Sequence, residues 1–133
     1  MSVLTFLVVE DHPRLRASLC AWLRHAYAGC ECVEAETGAA ALAQSTPPHV
    51  VLLDVSLPDM SGLAVAQQML ARSPSLPIII ITMHDAALYR DDARAIGAAA
   101  FVPKDQLPSA LASALGTILG GEADCAAPRP SSQ

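Results

Sequence analysis

Lysine is almost missing from this chain: of 8 basic residues, Lys104 alone is a lysine and the others are arginines. Aromatic residues make up 4% of the 133 positions and charged residues 16%. The 8 bases are outnumbered by 13 acids, for a net charge of −5, so the basic footprint of a nucleic-acid-binding surface is absent. Long apolar runs are absent too. The longest aliphatic stretches, Val50 to Leu53 and Ile78 to Ile81, fall far short of the roughly 18–20 residues that a membrane helix needs. The first residues reach Glu10-Asp11 without a basic segment, which excludes the pattern of a signal peptide. Of the four cysteines, Cys30 and Cys32 are two apart, unlike a C-x-x-C redox or zinc site, and Cys20 and Cys125 stand alone. The histidines at 12, 25, 49 and 84 share no metal-ligand spacing, so no zinc site is expected. A soluble, cytoplasmic domain with reduced thiols is the expectation.

What is present is apolar: 53% of the chain, with a mean hydropathy of +0.39. That composition excludes a disordered chain and suits one compact domain of ordinary size. Short β-rich runs alternate with amphipathic stretches. Val3 to Val9 reads as a buried strand, and Asp11 is expected to cap a helix with Pro13 in its first turn. Leu15, Leu19, Trp22, Leu23 and Ala26 form that helix's apolar stripe. Cys30 to Val33 reads as a second strand and Gly38 to Gln44 as a short helix. Val50 to Leu53 is the third strand, followed by a helix over 63–72. Ile78 to Ile81 is the fourth strand, and Tyr89, Ala93 and Ile96 mark the next helix. Ala99 to Val102 is the fifth strand, with a last helix carrying Leu107, Leu111, Ala114, Leu115 and Ile118. Residues 1–121 are assigned to the domain and 122–133, with their prolines and serines, to a flexible tail or the start of a linker. Five strands alternating with five helices predict an α/β fold, a three-layer, doubly wound sandwich around a parallel sheet.

The polar residues sit where the strands stop: Glu10 and Asp11 after the first, Asp54 after the third, Thr82 after the fourth, Lys104 after the fifth. A parallel sheet brings all of these to one carboxyl edge, where open α/β sheets bind ligands. Three carboxylates that close repel one another unless a cation joins them, and a hard divalent ion such as magnesium suits oxygen ligands and a phosphate. The lone lysine there is a compact charge suited to a single phosphoryl group.

Four pieces, Val8-Val9-Glu10-Asp11-His12, Leu53 to Gly62, Ile81-Thr82 and Phe101-Val102-Pro103-Lys104, each follow a strand in this order. From about Leu4 to Leu119 the chain resembles a response-regulator receiver domain of two-component signalling. The resemblance implies a flavodoxin-like sheet of order 2-1-3-4-5. It implies that Asp54 is the phosphoacceptor, served by a cognate histidine kinase. It implies that Asp11, Asp54 and the backbone carbonyl of Ser56 hold magnesium, with Glu10 joining through water. Lys104 and Thr82 would bind the phosphoryl oxygens. Phosphorylation would then draw Thr82 inward and let Phe101 rotate, repacking the fourth helix, fifth strand and fifth helix. The sequence departs from the family's habits in having Phe101 where tyrosine is common, the bulky Met83 after Thr82, and Asp105 after Lys104. Ser56, Met83 and His84 flank the site. Asp59 reads as a turn residue and not as a further ligand.

The pattern most resembles receivers that precede a helix-turn-helix output domain. The expected partners are therefore the kinase and an output domain or partner protein, with no direct nucleic-acid or membrane contact by this chain. Arg90, Asp91, Asp92 and Arg94 are placed to pair across a homodimer of the fourth helix, fifth strand and fifth helix, or to form a solvated face. Three readings compete with a phosphoacceptor that is not an enzyme. A degenerate, phosphorylation-independent binding module would lack some of the five site residues, and all five are present. An aspartyl-phosphate phosphohydrolase of the haloacid dehalogenase type would need an acid where Ser56 stands. A flavin-binding domain would want a phosphate-cradling loop where Glu10-Asp11 stands.

Overall fold

A computed structural model of the chain describes residues 3–45, 47–83 and 86–120. Its strands are β1 (Thr5–Val9), β2 (Glu31–Ala35), β3 (Val50–Asp54), β4 (Ile78–Thr82) and β5 (Ala100–Pro103). Its helices are α1 (Pro13–Ala26), α2 (Gly38–Leu42), α3 (Gly62–Arg72), α4 (Ala86–Ile96) and α5 (Ser109–Gly120), the last preceded by a 3₁₀ turn at Lys104–Gln106 and a cis Leu107–Pro108 bond. All strand pairs are parallel and the order is β2-β1-β3-β4-β5, as expected. Among the described residues no helix is long and apolar enough to cross a membrane.

Alternation along each strand divides the core into two layers, because successive side chains point to opposite faces. Phe6, Val8, Leu52, Ile79 and Ile81 meet Leu19 and Leu23 of α1 and Leu111 and Leu115 of α5. Leu7, Val9, Leu53, Ile78 and Ile80 meet Ala41 of α2, Val65 and Met69 of α3 and Ala93 of α4. Both faces of β1, β3 and β4 are thus covered, which is why their sequences are continuous aliphatic runs and not alternating ones.

Several boundaries differ from the sequence reading. The first helix is not capped by Asp11. Its N-cap is His12, which makes no side-chain capping bond, and Pro13 takes the first helical position, whose N–H would go unpaired in any case. The helix thus starts one residue late and leaves Asp11 in the loop. Cys20, not Ala26, completes the buried stripe of α1; Ala26 is exposed, and the neighbouring Tyr27 packs its ring on Phe6 at 5.6 Å. The thiols of Cys20, Cys30 and Cys32 are free, and burial pushes that of Cys30 up to about 11. Cys125, residues 122–133 and the side chain of Tyr89 lie outside the described residues.

The order β2-β1-β3 means that the chain winds one way from β1 to β2 and the other way from β1 to β3. The helices on the two sides part at the carboxyl ends of β1 and β3, opening the crevice where such sheets bind ligands. The loop leaving β3 closes tightly over this crevice. Gly62 N–H donates to Val55 O at 2.8 Å, and Ser56 and Ser61 form a bridge. A Cβ on Gly62 would collide with the backbone carbonyl of Asp54. Because that neighbour is backbone and cannot step aside, Gly62→Ala is expected to cost about 1–3 kcal/mol of stability, read as a lower urea midpoint.

Candidate functional site

The strands that end at the crevice deliver its polar groups. Asp54 is the last residue of β3 and is 4% exposed; Glu10 follows β1 directly and is 1% exposed. Asp11 is exposed at the rim. Carboxylate oxygens of Glu10, Asp11 and Asp54 all lie within 4.8 Å of one another, and among the described residues no other group of potential metal ligands is comparable. Lys104, immediately after β5, reaches across from the far side. Its Nζ is 3.1 Å from Glu10 Oε1 and 3.2 Å from Asp54 Oδ2. Ser56 N–H donates to Asp54 Oδ1 at 3.1 Å, and His12 N–H to Glu10 Oε2 at 3.2 Å.

Buried Glu10 Oε1 has the Lys104 ammonium, 3.1 Å away, as its counter-charge, and Lys104 is shared with Asp54. Three carboxylates sharing one ammonium are a poor arrangement for the empty protein and a good one for a hard cation. The donor set therefore fits a divalent metal ion. Burial, and then repulsion by Asp54, pushes the Glu10 carboxyl up to about 7 against the pull of Lys104. For Lys104 burial works downward, but Asp54 and Glu10 outweigh it, and the ammonium is held above the usual lysine value.

Thr82, the last residue of β4, is buried at the same edge, in register with Pro103. Met83 beside it is 68% exposed. His84 lies outside the described residues. Phe101 stands apart from the acidic cluster. It is half-buried on β5 opposite Ile80, with the Arg90 guanidinium 5.6 Å from its ring centroid. Beside it runs a groove of about 340 Å³ lined by Arg90, Ala93, Arg94, Ala98 and Phe101.

Two residues have roles that the sequence pattern does not disclose. Asp59 is no metal ligand: its two carboxylate oxygens accept from Gly38 N–H at 2.8 Å and Ala39 N–H at 2.9 Å, tying α2 to the loop after β3 and lowering the Asp59 pKa. Arg16 donates from Nη1 to the backbone carbonyl of Glu10 and from Nε to Glu34 Oε1, both at 2.8 Å. The contact with Glu34 spans 18 residues of sequence. The only local sign of Arg16 is a cation in the first turn of a helix, where the dipole disfavours it.

The model of the response regulator receiver domain family matches residues 6–116. The chain belongs to this family. It is 42% identical over 84 residues to the probable transcriptional regulatory protein TcrX of Mycobacterium tuberculosis, covering 62% of this chain and 35% of TcrX. This receiver spans about half the length, or less, of the curated relatives it matches. Among solved structures it resembles a LuxR-family two-component response regulator from Aurantimonas sp. SI85-9A1, with TM-score 0.80 and 28% identity over 90% of this chain and 87% of that one. It also resembles the response regulator TrrA of Thermotoga maritima in complex with Mg2+-BeF, with TM-score 0.79 and 30% identity over 88% of this chain and 100% of that one.

The raised Glu10 pKa has a sign. Between the ordinary value of 4.5 and about 7, the folded receiver keeps a proton that the unfolded chain has released. Stability in metal-free buffer should thus be greatest below pH 4.5 as far as this group is concerned, and fall as pH rises to 7. Glu10→Gln should flatten that slope and gain on the order of 2 kcal/mol at pH 7.5, measured by denaturant unfolding across pH. Asp59→Ala should speed amide exchange at Gly38 and Ala39 while leaving β3 protected, read by hydrogen–deuterium exchange.

Proposed function

We propose that the receiver takes a phosphoryl group onto Asp54 from a phosphohistidine of a cognate histidine kinase. The observation that carries this reading is the pairing of Asp54 with Lys104 next to the buried carboxylate of Glu10 and the carboxylate of Asp11. One carboxylate oxygen of Asp54 attacks phosphorus, an O–P bond forms, and the P–N bond to the donor imidazole breaks, leaving the electron pair on that nitrogen. No general base is required, because a carboxylate attacks in its ionised form. What the step requires is neutralisation of the incoming charge. Lys104, already drawn to Asp54, pairs with a phosphoryl oxygen, and Thr82 donates its hydroxyl to another. Asp11, Asp54 and the Ser56 carbonyl would hold magnesium, with Glu10 beside them, and the ion would supply neutralisation of charge on the phosphoryl group.

The tight loop from Val55 to Gly62 keeps the Ser56 N–H on Asp54, so that the carboxylate has one fixed orientation. The chain performs no turnover on a separate substrate and acts as a signalling phosphoacceptor, in the cytoplasm. The added charge draws Thr82 towards the phosphoryl group and lets Phe101 leave the Arg90 contact, altering the groove between α4 and β5. That surface addresses an output domain, a partner protein or a second copy of the chain through α4, β5 and α5. The name of TcrX, a transcriptional regulatory protein, supports a transcriptional output.

Intact mass after incubation with magnesium and a small phosphodonor is expected to rise by one phosphoryl group. The gain should vanish in Asp54→Asn and without magnesium. No gain with any donor would overturn the reading in favour of a phosphorylation-independent binding module. Amide exchange should change across α4, β5 and α5 on phosphorylation; unchanged exchange there would remove the switch.

A further inference from the structure

We infer that Arg16 is a positioning residue for the acidic site, clamping the Glu10 peptide so that Asp11 is presented beside Asp54. The inference rests on the phosphoryl-transfer reading above. Arg16 is the fourth residue of α1, and its side chain is 16% exposed. It touches three segments at once: the end of β1 through the Glu10 carbonyl, the edge strand β2 through Glu34, and, at 4.0 Å, Glu36 just beyond that strand.

Nothing about helix formation explains a cation here. The first turn of α1 holds no acidic residue and two arginines, and cations at a helix start oppose the macrodipole. Arg14 can turn to solvent, being exposed, whereas Arg16 is folded back under the loop. What it meets there is the peptide that fixes the direction of Asp11. Glu10 N–H is bonded to Ala35 O at 3.0 Å, the Glu10 side chain takes the N–H of His12, and the Glu10 carbonyl takes Arg16. With both polar groups of the Glu10 backbone held and Pro13 starting the helix, Asp11 has little room to point elsewhere.

Arg16 meets Glu10 at its backbone carbonyl and not at its carboxylate, so what it holds is the direction of the peptide. Orientation of this kind needs a fork. Nη1 donates to the carbonyl while Nε donates to Glu34, and an ammonium cannot reproduce that planar pair of donors.

Wild type, Arg16→Ala, Arg16→Lys and Glu34→Ala separate the possibilities. Each is titrated with magnesium by calorimetry, unfolded thermally in metal-free buffer and incubated with a small phosphodonor. Arg16→Ala is expected to weaken magnesium binding about tenfold and to slow phosphorylation in step. Arg16→Lys should resemble Arg16→Ala, and Glu34→Ala, which leaves the acidic site intact, should move the same way by less. Should Arg16→Ala not fold, Arg16→Lys and Glu34→Ala carry the comparison. Variants that lose thermal stability yet bind magnesium as wild type does would overturn the inference and leave the phosphoryl-transfer reading standing. Full rescue by Arg16→Lys would overturn it too, by making charge the operative property. A wild-type protein that binds no magnesium and accepts no phosphoryl group would take down the reading and this inference together.

Discussion

Three carboxylates share the carboxyl edge of the sheet with a single ammonium, and the architecture around them is arranged to hold that repulsion in place. A flexible surface would relieve it by turning the acids outward. Here Asp54 cannot turn, because it is the last residue of a strand buried on both faces and its oxygens are held by Ser56 and Lys104. Glu10 cannot turn either, since its backbone is bonded to Ala35 and Arg16. The aliphatic layers above and below the sheet thus stabilise more than the fold. They keep the acids crowded, and crowding gives the site its appetite for positive charge.

Much of this was legible in the sequence because it follows from local pattern. Ile78 to Ile81 and Val50 to Leu53 had to be doubly covered strands, and the polar residue ending each strand had to fall at one edge. The connection order and the likeness to receivers then placed Glu10, Asp11, Asp54, Thr82 and Lys104 together, as the structure does. What stayed hidden depends on partners distant in the chain. Nothing near Asp59 tells that its carboxylate holds a helix some 20 residues earlier, and nothing near Arg16 tells of Glu34. The error at Asp11 has a different origin. Aspartate is a good capping residue, and local propensity favoured it there, but Pro13 fixed the helix start one residue later.

The helices are not equal members of the fold. Helix α2 has five residues, too few to persist alone, and hangs from the loop after β3 by Asp59. A Cβ on Gly38 would run into Met60 and Val65, so the contact there is close as well as polar. The loop that carries the acceptor side of the crevice and the helix on its flank therefore behave as one body. On the opposite flank, half-buried Phe101 packs on the edge of the apolar layer and carries the Arg90 guanidinium over its ring.

The two outermost strands add a constraint of their own. Among the described residues strand β2 pairs only with β1, and strand β5 only with β4, so each has an outer row of backbone groups. The first row is five residues long and interrupted by the exposed Glu31 and Glu34; the second is four long and ends in Pro103, which has no N–H to give. Neither makes a template for a further strand. The glutamates and the proline thus work against edge-to-edge pairing of the sheet with a further chain.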